Sequence, residues 1–242
     1  MGIKLIDFDI SSINYKDYKY GVNDREVKAE LKKISEGFCM YCYDKISHNA
    51  HQEHYVDKSV HPKFKDYKYN IVYSCPICNS SKHKNEFRDN FKEIHKKVKV
   101  DGCATCNNTR DIKQCYQECA AMYRVKNGIF NPLLHKCSKL FEICLYSRRF
   151  MVINRSGDES IKEYIEKDRG RHISVFGLDN RIGSIIDSVC EDILEHNKIP
   201  SFKARSYENL MSKSVIEYFK AIEQESGLNE VIELLTIMKY TH

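Results

Sequence analysis

No stretch of this 242-residue chain approaches the roughly 18 consecutive apolar residues that a membrane-spanning helix needs. No apolar signal-peptide core follows Met1. Internal repeats and low-complexity tracts are also missing, which excludes solenoid and fibrous architectures. The expectation is a soluble, cytoplasmic protein without a membrane partner. The charge excess is slight, 39 Lys and Arg against 34 Asp and Glu, so its distribution matters more than its size. With 42% hydrophobic residues the chain can bury one large core or two small ones, and disorder over most of its length is excluded.

Cysteine is the residue in surplus. Eleven of them, an odd number in a chain expected in a reducing compartment, favour metal binding over a disulfide framework. Cys39-x2-Cys42 and Cys75-x2-Cys78 are matched knuckles 32 residues apart. Two such pairs can hold one Zn²⁺ in a tetrahedron of thiolates at roughly 2.3 Å per sulfur, a closed and therefore structural site. The metal would staple residues 39–78, a loop too polar for a core of its own, and function is expected within that loop. Cys103-x2-Cys106 with Cys115-x3-Cys119 is a tentative second zinc set, although shared burial on one helix face explains Cys115 and Cys119 equally well. Cys137, Cys144 and Cys190 are isolated and read as buried thiols.

The chain divides into an N-terminal arm at 1–24, a module at 25–100, a mixed segment at 101–158 and a helical subdomain at 159–242. The arm is polar and tyrosine-rich without periodicity. From Asp24 as N-cap, Val27, Leu31 and Ile34 predict a helix that Gly37 stops. Strands are expected at His54-Tyr55-Val56 and Asn70-Ile71-Val72-Tyr73, then a helix capped by Ser80 or Ser81 and running to about Lys97. Further on, a helix is expected from about Ile112 to Tyr123 and a strand over Arg149–Ile153. The apolar stripe Ile182, Ile185, Ile186, Val189 begins the helical end, followed by helices at about 206–225 and 228–238.

Charge follows this division. Residues 61–100 carry ten Lys or Arg against four Asp or Glu, whereas residues 206–242 carry three against six. Nine of the sixteen tyrosines fall within residues 15–73, beside the basic segment. Cations interleaved with aromatics suit a polyanion with stackable bases, which makes nucleic acid the expected partner.

The stapled loop holds Glu53-His54 and, at its end, Asn70-Ile71-Val72 and Cys75-Pro76-Ile77-Cys78-Asn79-Ser80-Ser81-Lys82. An acidic residue before His, an Asn leading an apolar pair, and C-x2-C-N-x2-K between paired knuckles resemble the HNH endonuclease family over about residues 37–90. The resemblance implies an α+β fold: a zinc-stapled, treble-clef-like ββα-metal nuclease module followed by a mostly helical C-terminal region. Asn131-Pro132 and Phe176-Gly177-Leu178-Asp179-Asn180-Arg181 extend it toward the HNH subunit PtuB of Septu-type and retron-associated antiphage systems. That wider likeness implies an effector in a hetero-oligomer with a PtuA-like ATPase that regulates it.

Phosphodiester hydrolysis requires a base for water, a divalent cation and positive groups on the strand. His54 is the candidate base, with an ordinary pKa of roughly 6.5 that suits neutral pH. Glu53 and Asn79 could offer oxygens to Mg²⁺ or Mn²⁺. The resemblance assigns Asn70 to orienting the base and Lys82, with Lys84 nearby, to a phosphate. His48, His51 and His83 are rivals to His54. DNA is the first substrate expected and RNA, tRNA included, the second. The competing reading is a zinc-dependent nucleic-acid-binding or adaptor protein without catalysis.

Overall fold

The computed structural model describes residues 2–11, 18–59, 61–82, 89–90, 93, 111–145, 147–153, 155, 157, 171–196 and 210–240, with backbone alone at 171, 191–196, 210–212 and 236–240. Helix α1 (Asp24–Ile34) forms where Val27 and Leu31 recur one turn apart, and both are buried. Acidic residues open it and lysines close it, matching the helix dipole. Gly37, at φ 81°, ends the turn by donating its N–H to the Lys32 carbonyl at 2.7 Å.

Strand β2 (His51–His54) pairs antiparallel with β3 (Ile71–Ser74), placing Glu53 opposite Val72 and His54 opposite Ile71. The first strand therefore lies earlier than the expected His54–Val56. Val56 leaves the ladder because the Asn70 side chain takes both its backbone groups, accepting from its N–H at 2.7 Å and donating to its carbonyl at 3.0 Å. Helix α2 (Pro76–Lys82) starts at Pro76, ahead of the expected serine cap. Proline pre-sets the helical φ there, and the Cys75 sulfur accepts the Cys78 N–H at 3.4 Å. Most of the expected continuation, 83–97, lies outside the described residues.

The N-terminal arm, which lacks periodicity in sequence, opens on a strand. Strand β1 (Gly2–Lys4) pairs antiparallel with β4 (Phe141–Cys144), and β4 with β5 (Arg149–Val152), giving a sheet of order β1-β4-β5. Ile3, Leu5, Phe8 and Ile10 are buried as a result. Helix α3 (Ile112–Asn127) follows β3 and α2 in the chain, capped by the Asp111 carboxylate and closed by Gly128 in the left-handed conformation. A short α4 (Cys137–Leu140) leads into β4.

The described residues of the C-terminal region are helical as expected: α5 (Arg171–Phe176), α6 (Leu178–His196), α7 (Leu210–Ser226) and α8 (Leu228–Tyr240). The stripe of α6 buries Ile182, Ile186 and Val189 and packs on β5, while α7 and α8 pack on α6 and on each other, and α5 lies on α2. Buried residues from Ile3 to Leu235 form one connected core, so the segments distinguished in the sequence share an interior. Among the described residues no helix is long and apolar enough to cross a membrane.

Candidate metal centre and the groups beside it

Two short elements bring the four cysteines together. Residues 38–46 fold into a knuckle in which the Cys39 N–H donates to the Asp44 carbonyl at 2.8 Å and the Tyr43 N–H to the Cys39 carbonyl at 2.8 Å, with Tyr43 at positive φ. The Met40 N–H donates to the Tyr73 carbonyl at 2.9 Å, fastening the knuckle to the end of β3. Cys75 and Cys78 sit where β3 passes into α2.

The four sulfurs lie within 4.8 Å of one another and all four residues are buried. A tetrahedron with Zn–S bonds of about 2.3 Å has edges of about 3.8 Å, and Cys42 Sγ lies 3.8 Å from Cys75 Sγ. The donor set and spacing thus fit a structural Zn²⁺. Burial pushes the Cys39 thiol up, whereas hydrogen bonds from Cys39, Cys42 and Cys78 hold the Cys75 thiol down. Arg181 of α6 donates from Nη1 to Cys42 Sγ at 3.1 Å and forms an ion pair with Asp44. A guanidinium against a ligating sulfur offsets the net negative charge of four thiolates around a dication.

Glu53 and His54 are neighbours on β2 and so project to opposite sides. On the inner side, Tyr41 donates its hydroxyl to Glu53 Oε2 at 2.6 Å and Lys82 forms an ion pair with Oε1. Lys82 also donates to the carbonyls of His54 and Tyr55 at 2.9 and 2.8 Å. Its three hydrogens therefore have protein oxygens as partners. With Lys82 at 2% and Glu53 at 3% exposure, the ammonium is an internal group here and does not face a strand, in contrast to the phosphate contact expected of it. Burial pushes its pKa down, against the pull of Glu53 in the other direction. Both Glu53 oxygens already hold a donor, so this carboxylate fits a divalent cation only if Lys82 withdraws.

His54, 7% exposed, places Nε2 at 2.9 Å from the Lys65 carbonyl. Because a carbonyl only accepts, Nε2 carries the proton and a neutral ring keeps its lone pair on Nδ1. Burial lowers the pKa of His54, with the Lys65 carbonyl opposing, and favours that neutral form. Asn70 acts one step away from the ring: fully buried, it binds both backbone groups of Val56 and donates to the Phe64 carbonyl at 3.0 Å, closing the loop that supplies Lys65. Asn79 is half-buried on α2, where its N–H donates to the Cys75 carbonyl at 3.0 Å.

The rival His48 is exposed and bonded to Ser47, His51 is exposed at the start of β2, and His83 and Lys84 lie outside the described residues. Of the tentative second zinc set, Cys115 and Cys119 are buried one turn apart on α3, and Cys103 and Cys106 lie outside the described residues. Cys137 and Cys190 are buried as expected, and Cys144 is half-buried.

Tyr41 and His172 escaped the sequence reading. Tyr41, between the first two cysteines, stacks on Phe176 with centroids 4.7 Å apart. His172 is buried, accepts the Phe130 N–H on Nδ1 at 3.1 Å, and is pushed down to about 3 by burial, so it is a neutral packing element. Nothing in their local sequence marks either, since each acquires its role from a distant element. Asn131 bridges modules too, donating to the Tyr69 carbonyl and the Tyr116 hydroxyl at 3.1 and 2.8 Å. No protein-family model, curated protein or solved structure matches this chain.

Proposed function

We propose that the protein is a phosphodiester hydrolase of the HNH type, acting on nucleic acid, with His54 as general base. The observation that supports the reading is the His54–Lys65 hydrogen bond, which puts the proton on Nε2 and leaves the Nδ1 lone pair to accept one, within a segment flanked by the four converging cysteines. In the proposed step His54 Nδ1 takes a proton from water as the water oxygen bonds to phosphorus. The bond to the leaving oxygen breaks, and that oxygen collects a proton from solvent. Asn70 positions the base through the loop backbone. Glu53 and Asn79 are the residues that would hold a Mg²⁺ or Mn²⁺, which would neutralise phosphate charge, and holding it would require Lys82 to release Glu53. DNA stands ahead of RNA as substrate. The role of antiphage effector gated by a PtuA-like ATPase rests on sequence likeness alone.

A second reading, a nucleic-acid-binding or adaptor protein, draws on one observation: Glu53 and Lys82 satisfy each other in the interior, as a structural pair would. Cleavage of plasmid, single-stranded DNA and tRNA with Mg²⁺ or Mn²⁺, wild type beside His54→Ala, decides between them. Hydrolysis lost in the variant supports catalysis. Equal background cutting by both, with nucleic-acid binding retained, supports the adaptor. The same assay with a co-purified ATPase examines the gated form.

A further inference from the structure

Above the buried His54 lies a ring that the hydrolytic reading leaves unused. Tyr20 is 38% exposed, one of the few large apolar side chains at the surface among the described residues. Its ring meets His54 edge-on, centroids 5.1 Å apart at 70°. Lys58 places Nζ 3.5 Å from the Tyr20 centroid, a close cation–π contact. The ring is held by its backbone: the Tyr20 N–H donates to the Asp66 carboxylate at 2.8 Å, and the next residue, Gly21, turns at φ 84° with its N–H on Asp24 at 3.0 Å. These bonds tie the N-terminal segment to the loop that supplies the His54 partner, Lys65, whose own side chain is exposed, as is that of Lys63. An exposed aromatic with an ammonium over one face of its ring, fixed next to an imidazole, puts a π-system and phosphate-binding charge in one place.

We infer that Tyr20 and Lys58 form a nucleotide subsite next to the scissile phosphate, with Tyr20 stacking an unpaired base and Lys58 holding the adjoining phosphate. The inference rests on the nucleic-acid reading above and sharpens it. A base must be out of a duplex to offer its face to a side chain, so the substrate is a single strand or loop. The common chemistry is base face plus phosphate, in DNA or RNA.

The test is fluorescence anisotropy with labelled single-stranded DNA, single-stranded RNA and duplex DNA of equal length, using the zinc-loaded full chain carrying His54→Ala so that probes stay intact. Tyr20→Leu should weaken single-strand binding about 10-fold, Tyr20→Phe should keep it, and Lys58→Gln should weaken it and flatten its salt dependence. Duplex affinity should change less than about 2-fold in the Tyr20 variants. Unchanged single-strand affinity in Tyr20→Leu overturns the subsite, as does an equal loss on duplex or no single-strand binding by the parent. A protein that fails to cut yet loses strand affinity with Tyr20→Leu keeps the subsite and discards catalysis. One that cuts yet binds alike with Leu at position 20 does the opposite.

Discussion

Lys82, the last residue of α2, forms a buried ion pair with Glu53 on β2 and donates to the two carbonyls that follow Glu53 in the chain. One side chain thereby fastens the helix to the point where the strand ends. Removing one member of a buried pair strands the other charge, so Lys82→Met should cost about 3–5 kcal/mol in urea unfolding. Adding Glu53→Gln should restore a large part of that loss, since two neutral groups do not require each other. If Lys82→Met alone melts like wild type, the pair is not the brace described.

Zinc removal should unfold the hairpin region. Structural zinc contributes about 10–16 kcal/mol of apparent binding energy in small metal-folded units. A strong chelator should therefore lower Tm and expose thiols to a colorimetric reagent, and Cys75→Ser should lose one metal equivalent by elemental analysis. Unaltered metal content in Cys75→Ser would remove the cluster from consideration.

Asn70→Ala deletes three buried hydrogen bonds that hold residues 56 and 64 together. At about 1 kcal/mol each, with the Val56 amide then left unsatisfied, the loss should be about 3–4 kcal/mol. Amide exchange of Val56 should accelerate well beyond that of β3, and uniform acceleration of both would indicate global rather than local loosening.

The pH profile of cleavage has a definite sign. Burial lowers the His54 pKa, so the ring stays neutral down to a pH below its ordinary value of roughly 6.5. Activity should rise with pH on the acidic side along a limb centred below roughly 6.5, and a nearby divalent cation shifts the limb the same way. The same depression makes neutral His54 a source of stability that is lost as pH falls below the unfolded value. A limb centred above 7 would contradict this environment.

Matched knuckles at Cys39, Cys42, Cys75 and Cys78 were legible because ligand spacing is local chemistry, and the four sulfurs do converge. The α6 stripe was legible because helical period is a local property. Beginnings were harder: Pro76 opens α2 where a serine was expected, since the thiol cap on Cys78 depends on the cysteine's conformation. Strand β1 was illegible because its partner lies about 140 residues away, and no local pattern records a pairing that distant.

The sequence by itself determined which residue types could bind a metal or accept a proton, and that the loop between the knuckles held them. Tertiary structure alone decided which charges are internal. It joined Lys82 to Glu53 and Arg181 to Cys42, contacts that span 29 and 139 residues. Composition shows that a lysine or an arginine is present, but whether water or a buried acceptor receives its hydrogens depends on which surfaces the packed core brings together.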